Sequence, residues 1–263
     1  MRIRFICCDV FARLAYKVAA ESEHTVDVLL LPMLAHNEPS LLRNDLQNAI
    51  DSVPDDVFDM IILGYGLCGS SVSGLTSHIP MIIPRMHDCS AMFLGSREKF
   101  MEVFGHRLST RWRSCGYMER CDDVQGDYKM HPDYLKLVDE YGEENAEYVW
   151  ETMYPPAETE EVVYIELDGF EFGNTCHRYI EMMSKQDVTV EVVKGSVEWF
   201  KQLVNGPWDE KDFLEIVPGN EIHPIYDMDE VLAVRAVEHS HELLGGKCEK
   251  YESKCSDVFI KHL

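Results

Sequence analysis

Short apolar runs alternate with amphipathic stretches in the first half of the chain, and their spacing predicts strands followed by helices. The runs predicted as strands cover residues 3–8, 25–31, 58–63 and 80–84. Helical spacing of apolar residues predicts helices at 10–20, 39–52 and about 95–104. Strands separated by helices in this way form parallel βαβ units with right-handed crossovers.

The same alternation returns in the second half of the chain, after a different middle segment. The strands predicted there cover residues 162–167, 188–193 and 213–217. The predicted helices cover residues 175–183, 196–204 and part of 226–241. The middle segment begins with a polar, basic stretch at 106–116 and continues into an acidic helical stretch at 132–153. Two consecutive prolines, Pro155 and Pro156, end that helical stretch.

These patterns together predict an α/β protein built from two Rossmann-like parallel-sheet halves. We expect the N-terminal half to cover residues 1–105 and the C-terminal half to cover residues 161–245. A helical and loop insertion at residues 106–160 separates the two halves, and residues 246–263 form a polar tail.

The net charge of the chain excludes some classes of binding partner. The 263 residues carry 24 Lys and Arg against 47 Asp and Glu, which gives a formal charge of −23 at pH 7. This charge repels phosphate backbones and anionic lipid, so we expect neither a nucleic-acid nor a membrane partner. No apolar run approaches the ~20 residues of a membrane span, and the N-terminal segment is too short, and reaches an acidic residue at Asp9 too soon, for a signal peptide. We therefore expect a folded, cytoplasmic protein.

The cysteines change this picture because four of the nine fall near the carboxyl ends of predicted strands. These four are Cys8, Cys68, Cys89 and Cys176. Ligands of open parallel sheets bind beyond the carboxyl ends of the strands. We therefore predict that at least three of the four share one rim of a sheet or a cleft between the two halves. The alternative is that they are scattered buried thiols, since a free cysteine often acts as a small apolar side chain.

The sequence His87-Asp88-Cys89 makes a metal site the more specific prediction. An imidazole and a thiolate are both suitable zinc ligands, and with a distant third cysteine the spacing resembles that of zinc-dependent thiol methyltransferases. The predicted zinc ligands are Cys8, Cys68, His87 and Cys89, with Cys176 in reserve. An iron–sulfur cluster held by the four cysteines is the alternative, although no compact ferredoxin spacing is present.

A glycine-rich turn follows the third predicted strand and supplies candidate cofactor-binding residues. Gly64, Gly66 and Gly69 satisfy the Gly-x-Gly-x-x-Gly order, and Tyr65 lies within the turn. A dinucleotide site is disfavoured, because that motif follows the first strand of its fold and an acidic residue is expected after the next strand. We therefore interpret the glycines as allowing backbone N–H groups to approach a ligand or a metal-bound thiolate.

Two arginines near this turn are candidates for binding an anionic small molecule. Arg85 and Arg97 flank the predicted metal site, and Ser96 precedes Arg97. Guanidinium groups bind carboxylates and phosphates through paired hydrogen bonds. Ordinary surface ion pairs are the alternative interpretation of these arginines.

These same segments resemble the DUF1638 family, whose members have no assigned function and occur largely in methanogenic archaea and anaerobic bacteria. The most specific matching pieces are Gly-Tyr-Gly-Leu-Cys-Gly at 64–69 and Pro-Arg-Met-His-Asp-Cys at 84–89. Further similar segments lie at 8–10, 31–39, 46–47, 94–97, 194–196, 205–208 and 217–219. The chain departs from the family at 111–113, where Arg-Trp-Arg replaces a more aromatic stretch.

The resemblance implies a role in one-carbon metabolism, because family members often accompany corrinoid proteins and methylamine- or betaine-type methyltransferases. Our main hypothesis is a metal-binding protein of corrinoid-dependent methyl transfer, in which zinc or an iron–sulfur cluster activates a thiol for methylation. One alternative is a corrinoid or small-ligand binding module without catalysis, although the Asp-x-His-x-x-Gly motif of base-off corrinoid domains is absent. Another is an acidic protein that docks a methyltransferase.

Overall fold

The computed structural model describes residues 1–33, 39–108, 110–120, 132–153, 161–185, 187–225 and 230–237. Its strands are β1 Arg2–Cys8, β2 Thr25–Leu31, β3 Met60–Gly64, β4 Met81–Pro84, β5 Trp112–Ser114, β6 Glu161–Glu166, β7 Thr189–Lys194, β8 Phe213–Ile216, β9 Asn220–Pro224 and β10 Leu232–Ala236. The mixture of strands with intervening helices confirms the α/β class.

The helices lie between these strands, mostly as the sequence predicts. They are α1 Ala12–Glu21, α2 Pro39–Asp51, α3 Cys89–Leu94, α4 Arg97–Phe104, α5 Cys115–Arg120, α6 Pro132–Tyr141, α7 Glu143–Met153, α8 Thr175–Ser184 and α9 Glu198–Asn205. The stretch predicted as one helix at 132–153 divides at Gly142, which has a positive φ of 77°. Among the described residues, no helix is both long and apolar enough to cross a membrane.

The larger of two parallel-stranded sheets has the strand order β2-β1-β3-β4-β8. β1 to β4 run parallel, and only β8 is antiparallel, where it pairs with β4. In the register of this sheet Cys7 lies opposite Gly64, and Cys8 lies opposite Leu31. Because β1, β3 and β4 are consecutive and parallel, the segments that follow them leave from the same edge of the sheet.

The smaller parallel sheet has the order β5-β6-β7, and β9 and β10 form a separate antiparallel pair. β5 lies within the predicted insertion, yet it pairs with β6 of the C-terminal half. β8 comes from the C-terminal half of the chain, yet it pairs with β4 of the N-terminal half. Strand pairing therefore links segments on both sides of the predicted boundaries.

A continuous apolar core joins the two parallel sheets. It contains Phe11 after β1, Phe93 of α3, Ile165 of β6 and Phe200 of α9. The ring centroids of Phe11 lie 4.8 Å from Phe93 and 5.3 Å from Phe200. The backbone of α3 also contacts the smaller sheet, since the N–H of Ser196 donates to the carbonyl of Phe93 at 3.1 Å. α3 therefore lies where the two sheets meet.

The seven predicted strands are all present, each with bounds within two residues of the prediction. The helix predicted within 226–241 is wrong in its described part, because Leu232–Ala236 is a strand that pairs with Asn220–Pro224. Pairing with β9 determines the strand structure of this segment, since Val234 lies opposite Ile222 and Arg235 binds Glu221. Residues 226–229, the prolines at 155 and 156, and the polar tail lie outside the described residues.

Candidate functional site

Three of the four predicted cysteines meet at the carboxyl edge of the larger sheet. Cys8 ends β1, Cys68 follows β3, and Cys89 is the first residue of α3, which follows β4. The Cys89 thiol shares hydrogen bonds with the thiols of both Cys68 and Cys8. Cys8 and Cys89 are 0% and 1% exposed, whereas Cys68 is partly exposed. We refer to these three residues as the thiol cluster.

The segments after β3 and β4 run side by side, which brings Cys68 and Cys89 together. The N–H of Leu67 donates to the carbonyl of Met86 at 2.9 Å, and the N–H of Cys68 donates to the carbonyl of His87 at 3.0 Å. Gly66 permits this approach, because a Cβ at that position would lie 2.7 Å from the Met86 carbonyl oxygen. The glycine thus serves a contact between two segments of the chain.

The turn that carries Cys68 has an unusual backbone conformation. Cys68, Gly69 and Ser70 have successive φ values of 41°, 65° and 71°. Left-handed backbone costs a residue with a Cβ about 1–2 kcal/mol, so Cys68 and Ser70 are held under strain. Arg43 holds the end of the turn by donating from Nη2 to the Ser70 carbonyl at 2.8 Å. Such strain is concentrated at functional sites in proteins, which draws attention to Cys68.

Asp88 fixes the position of Cys89 by capping α3. Its carboxylate accepts a hydrogen bond from the Ser90 N–H at 2.8 Å and another from the Ser90 hydroxyl. Short polar side chains that accept from the first turn in this way stabilise a helix start. The cap places Cys89 in the first turn of α3, with its side chain buried against the other two thiols.

The thiol of Cys89 favours its neutral form, because its pKa is raised. Hydrogen bonds to Cys68 and Cys8, followed by burial, raise the pKa of Cys89 well above its usual value. The phenols of Tyr65 and Tyr117 interact electrostatically with the same thiols. Burial first, and then the cysteines of the cluster, raise the pKa of both tyrosines well above the usual value. Without a cation, Cys89 and the two tyrosines therefore favour their protonated forms.

Tyr117 is a site residue that the sequence analysis missed. It lies on α5, which approaches the end of β1 so closely that a Cβ on Gly116 would sit 1.9 Å from the Val10 carbonyl oxygen. Its ring also packs edge-on against Trp112, with centroids 4.6 Å apart. Gly116 directly before an aromatic residue is the local signal for such a close approach, but it does not show which partner α5 meets.

His87, a predicted ligand, contributes its backbone carbonyl to the site, and its ring packs on α4. The imidazole stacks on Phe100 of α4, with centroids 6.0 Å apart and planes inclined by 25°. Coordination of a metal by His87 stays a prediction.

Cys176 lies in a different part of the molecule from the thiol cluster. It is in the first turn of α8, beyond β6 of the smaller sheet, and packs against a second apolar cluster that includes Tyr164 and Tyr179. Burial, followed by Glu166 and Glu171, raises its pKa. The two strand ends that were predicted to share a rim belong to separate sheets, which is why Cys176 does not join the other three cysteines.

The predicted ligand-binding arginines and serine make hydrogen bonds within the protein. Arg85 donates from Nε to the Glu210 carbonyl at 2.8 Å and from Nη1 to the Glu230 carbonyl at 2.9 Å, and Nη1 also contacts the Leu232 carbonyl. Arg97 donates to the Lys211 carbonyl. Ser96 caps α4 by accepting from the Lys99 N–H at 3.0 Å. These contacts hold the segments around β8 and β10 in place, and anion binding by the three residues stays a prediction.

The other glycines of the predicted cofactor turn also serve packing. A Cβ on Gly64 would lie 2.5 Å from the Cβ of Cys7 on the neighbouring strand. Gly69 has the left-handed backbone described above, and its Cα faces Pro39 of α2. The Gly-x-Gly-x-x-Gly order is therefore explained by close contacts between strands and by the turn.

Within the ranges that the structure describes, no group of three or more His, Cys, Asp or Glu side chains is arranged to hold a metal ion as it stands. The Cys89 thiol instead makes hydrogen-bonded contacts with the thiols of Cys8 and Cys68. The donor set is nevertheless one that thiophilic metals favour, since soft thiolates bind zinc and iron–sulfur clusters. A metal would have to displace those protons and draw the three sulfurs around itself.

Comparison with known proteins gives a family but no activity. No curated protein and no solved structure matches the chain. Residues 30–204 match DUF1638, which is described as a protein of unknown function. This match covers more than half of the chain and includes Cys68 and Cys89 together with the strained turn. The chain therefore belongs to the DUF1638 family.

Proposed function

We propose that the thiol cluster binds a zinc ion through Cys8, Cys68 and Cys89. The observation that carries this proposal is that the Cys89 thiol makes hydrogen-bonded contacts with the thiols of Cys68 and Cys8. Thiolates on one tetrahedral zinc ion lie roughly 3.8 Å apart, as Zn–S bonds of about 2.3 Å require, and hydrogen-bonded thiols are already near that separation. Metal binding therefore needs proton loss and movement of the sulfurs, since no three ligands among the described residues are arranged to hold a metal ion as they stand.

The buried position of the thiols favours a metal over a free nucleophile. A thiol whose pKa is raised has little thiolate at neutral pH, so Cys89 alone is a poor nucleophile. A divalent cation reverses this preference, because coordination deprotonates a thiol. Three thiolates on one zinc ion leave a net charge of −1, which is less costly to bury than separate thiolates.

Three protein ligands leave the fourth zinc position for a small molecule. Catalytic zinc sites have this composition, whereas structural sites fill all four positions with protein side chains. Entry from the side of Cys68 is favoured, since it is the partly exposed member of the cluster. The four-cysteine iron–sulfur alternative is less well supported, because Cys176 belongs to the other sheet.

The chemistry that we propose for this open position is activation of a substrate thiol for methylation. On binding zinc the substrate thiol would release its proton, and its sulfur would form a bond to a methyl carbon as that carbon separates from its donor. A corrinoid protein as the donor rests on the resemblance alone. An anionic substrate and a methyltransferase partner are likewise parts of the proposal.

The metal content of anaerobically purified protein tests the first step. We expect about one zinc ion per chain in the wild type and less than about 0.2 in Cys89→Ser, since one of three ligands is lost. Cys176→Ser is the matched control and should keep the wild-type content, because Cys176 lies outside the thiol cluster. Elemental analysis combined with a visible spectrum measures both the amount and the kind of metal.

Two outcomes of that experiment contradict the proposal. Equal zinc content in wild type and Cys89→Ser would show that the metal binds elsewhere. A broad visible absorption with iron and sulfide would replace zinc by an iron–sulfur cluster. If zinc binds as expected, replacing it with Co²⁺ and adding a small thiol should change the visible spectrum of the cobalt protein, which tests the open position separately.

A further inference from the structure

Two thiols of the cluster face each other in a way that suits a chemistry other than metal binding. The Cys68 and Cys89 thiols are in hydrogen-bonded contact, and both cysteines are free in the structure. A disulfide needs Cβ atoms about 3.5–4.5 Å apart, and side chains that point away from each other cannot form one. Because these two thiols contact each other, their side chains converge as a disulfide requires.

The backbone holds the two residues in neighbouring segments. The Cys68 N–H donates to the His87 carbonyl at 3.0 Å, and Cys89 lies two residues further along the same segment. The Asp88 carboxylate fixes that segment by capping the first turn of α3. A bond between Cys68 and Cys89 would therefore join segments that already pair with each other.

Exposure distinguishes Cys68 as the thiol that meets a reagent from solution. Cys68 is partly exposed, whereas Cys8 and Cys89 are 0% and 1% exposed. A reagent that does not enter the core reaches Cys68 first, and Cys89 is the buried thiol in contact with it. Redox-sensitive cysteines in proteins are commonly accessible thiols next to a second, resolving thiol.

We propose that Cys68 and Cys89 form a reversible disulfide, which switches the thiol cluster between a metal-binding and a metal-free form. The oxidant is a small-molecule disulfide. The Cys68 sulfur attacks one of its sulfurs and releases the first small thiol, which leaves a mixed disulfide on Cys68. The Cys89 sulfur then attacks the Cys68 sulfur and releases the second small thiol. The protein loses two protons and two electrons, and these leave in the two small thiols.

The disulfide removes two of the three proposed zinc ligands. The thiolate is the form of cysteine that binds metals, and the sulfurs of a disulfide carry no such charge. Cys8 would remain as the last of the three ligands, which is too few for a zinc site. This consequence for zinc rests on the proposed function, whereas formation of the disulfide does not, so the two can be tested separately.

Tryptic peptides of the full chain report the bond directly. Cleavage after arginine places Cys68 on peptide 44–85 and Cys89 on peptide 86–97. Metal-free protein treated anaerobically with glutathione disulfide, and then blocked with N-ethylmaleimide, should yield these two peptides as a linked pair. Dithiothreitol added before blocking should abolish the pair. Absence of the pair, or its replacement by a link between 86–97 and peptide 5–13, which carries Cys8, would overturn the proposal.

Two variants test the order of attack. Cys68→Ser should leave peptide 86–97 carrying only the maleimide, because buried Cys89 has lost the thiol that reacts first. Cys176→Ser is the matched control and should yield as much linked pair as the wild type, since Cys176 is also partly exposed but lies outside the cluster. Glutathione on Cys89 at the wild-type rate in Cys68→Ser would show that Cys89 reacts by itself and would overturn the mechanism. Circular dichroism checks that both variants are folded.

The zinc content of the same samples, after addition of equimolar zinc and desalting, tests the switch. We expect about one zinc ion per chain in the reduced protein and less than about 0.2 in the oxidised protein, with recovery after reduction. Equal zinc content in the two forms would overturn the switch. Linked peptides from a protein that binds no zinc when reduced would support the disulfide and contradict the zinc site alone.

Discussion

Two adjacent cysteines, Cys7 and Cys8, have different environments because successive residues of a strand point to opposite faces. Cys8 joins the thiol cluster, whereas Cys7 packs beside Gly64 on the neighbouring strand and is fully buried. Burial is the main cause that raises the pKa of Cys7, followed by the charges of Cys8 and Asp9. Cys7 therefore acts as a buried apolar residue whose titration is linked to folding.

We expect the metal-free protein to lose stability as the pH rises above the usual thiol pKa of about 8.5. The folded state keeps Cys7 protonated while the unfolded chain ionises, so stability is full below that pH and declines towards the folded-state pKa. Urea unfolding between about pH 7 and pH 10 measures this decline. Cys7→Ala should show a shallower decline, and an equally steep one would exclude Cys7 as a cause.

At the scale of elements, the site depends on how α5 meets the end of β1. Gly116 has no room for a side chain, because Val10 and Phe93 occupy the space around its Cα. This contact brings Tyr117 beside the thiol cluster. Neither the helical spacing of α5 nor the strand pattern of β1 contains information about this contact, since the two segments are about a hundred residues apart.

Gly116→Ala tests the importance of that contact. A Cβ would lie 1.9 Å from the Val10 carbonyl oxygen, so α5 must shift, and we expect a loss of about 3 kcal/mol in the free energy of unfolding. Gly169→Ala is the control: its φ is 81° and its surroundings are open, so only about 1 kcal/mol of backbone strain is expected. Equal losses in the two variants, measured by urea unfolding, would contradict this account.

The elements themselves could be predicted where local spacing reflects burial. The apolar runs gave all seven predicted strands, and the positions of Cys8, Cys68 and Cys89 at strand ends followed from them. The short elements β5 and α3 have too few residues to show a period. β10 was predicted as a helix, because its five residues acquire strand structure only by pairing with β9.

At the scale of the whole molecule, an excess of acidic groups is partly offset by the arginines. Two of these arginines join distant segments of the chain. Arg85 binds carbonyls at 210 and 230, and Arg107 binds Glu191 and Glu161 of the smaller sheet. The arginines therefore offset part of the formal charge of −23 at these contacts, but most of the excess carboxylates still repel one another.

Because of this repulsion we expect the melting temperature to rise by a few degrees between about 10 and 150 mM NaCl, as screening weakens interactions between exposed carboxylates. Choline chloride at the same ionic strength should act alike, since screening depends on ionic strength and not on a particular cation. Thermal unfolding followed by circular dichroism measures the effect. A melting temperature that falls with salt would mean that the ion pairs outweigh the repulsion.

The sequence by itself determined the α/β class, the approximate strand and helix positions, and the placement of cysteines at strand ends, because local periodicity reports which face of a segment is buried. Only the tertiary structure decided which strand ends are neighbours. Cys8, Cys68 and Cys89 meet because β1, β3 and β4 are adjacent and parallel. Cys176 is separated because β6 joins another sheet, and the ring of His87 packs on Phe100 of α4. Sheet membership and side-chain direction depend on contacts between distant segments, which a local pattern does not encode.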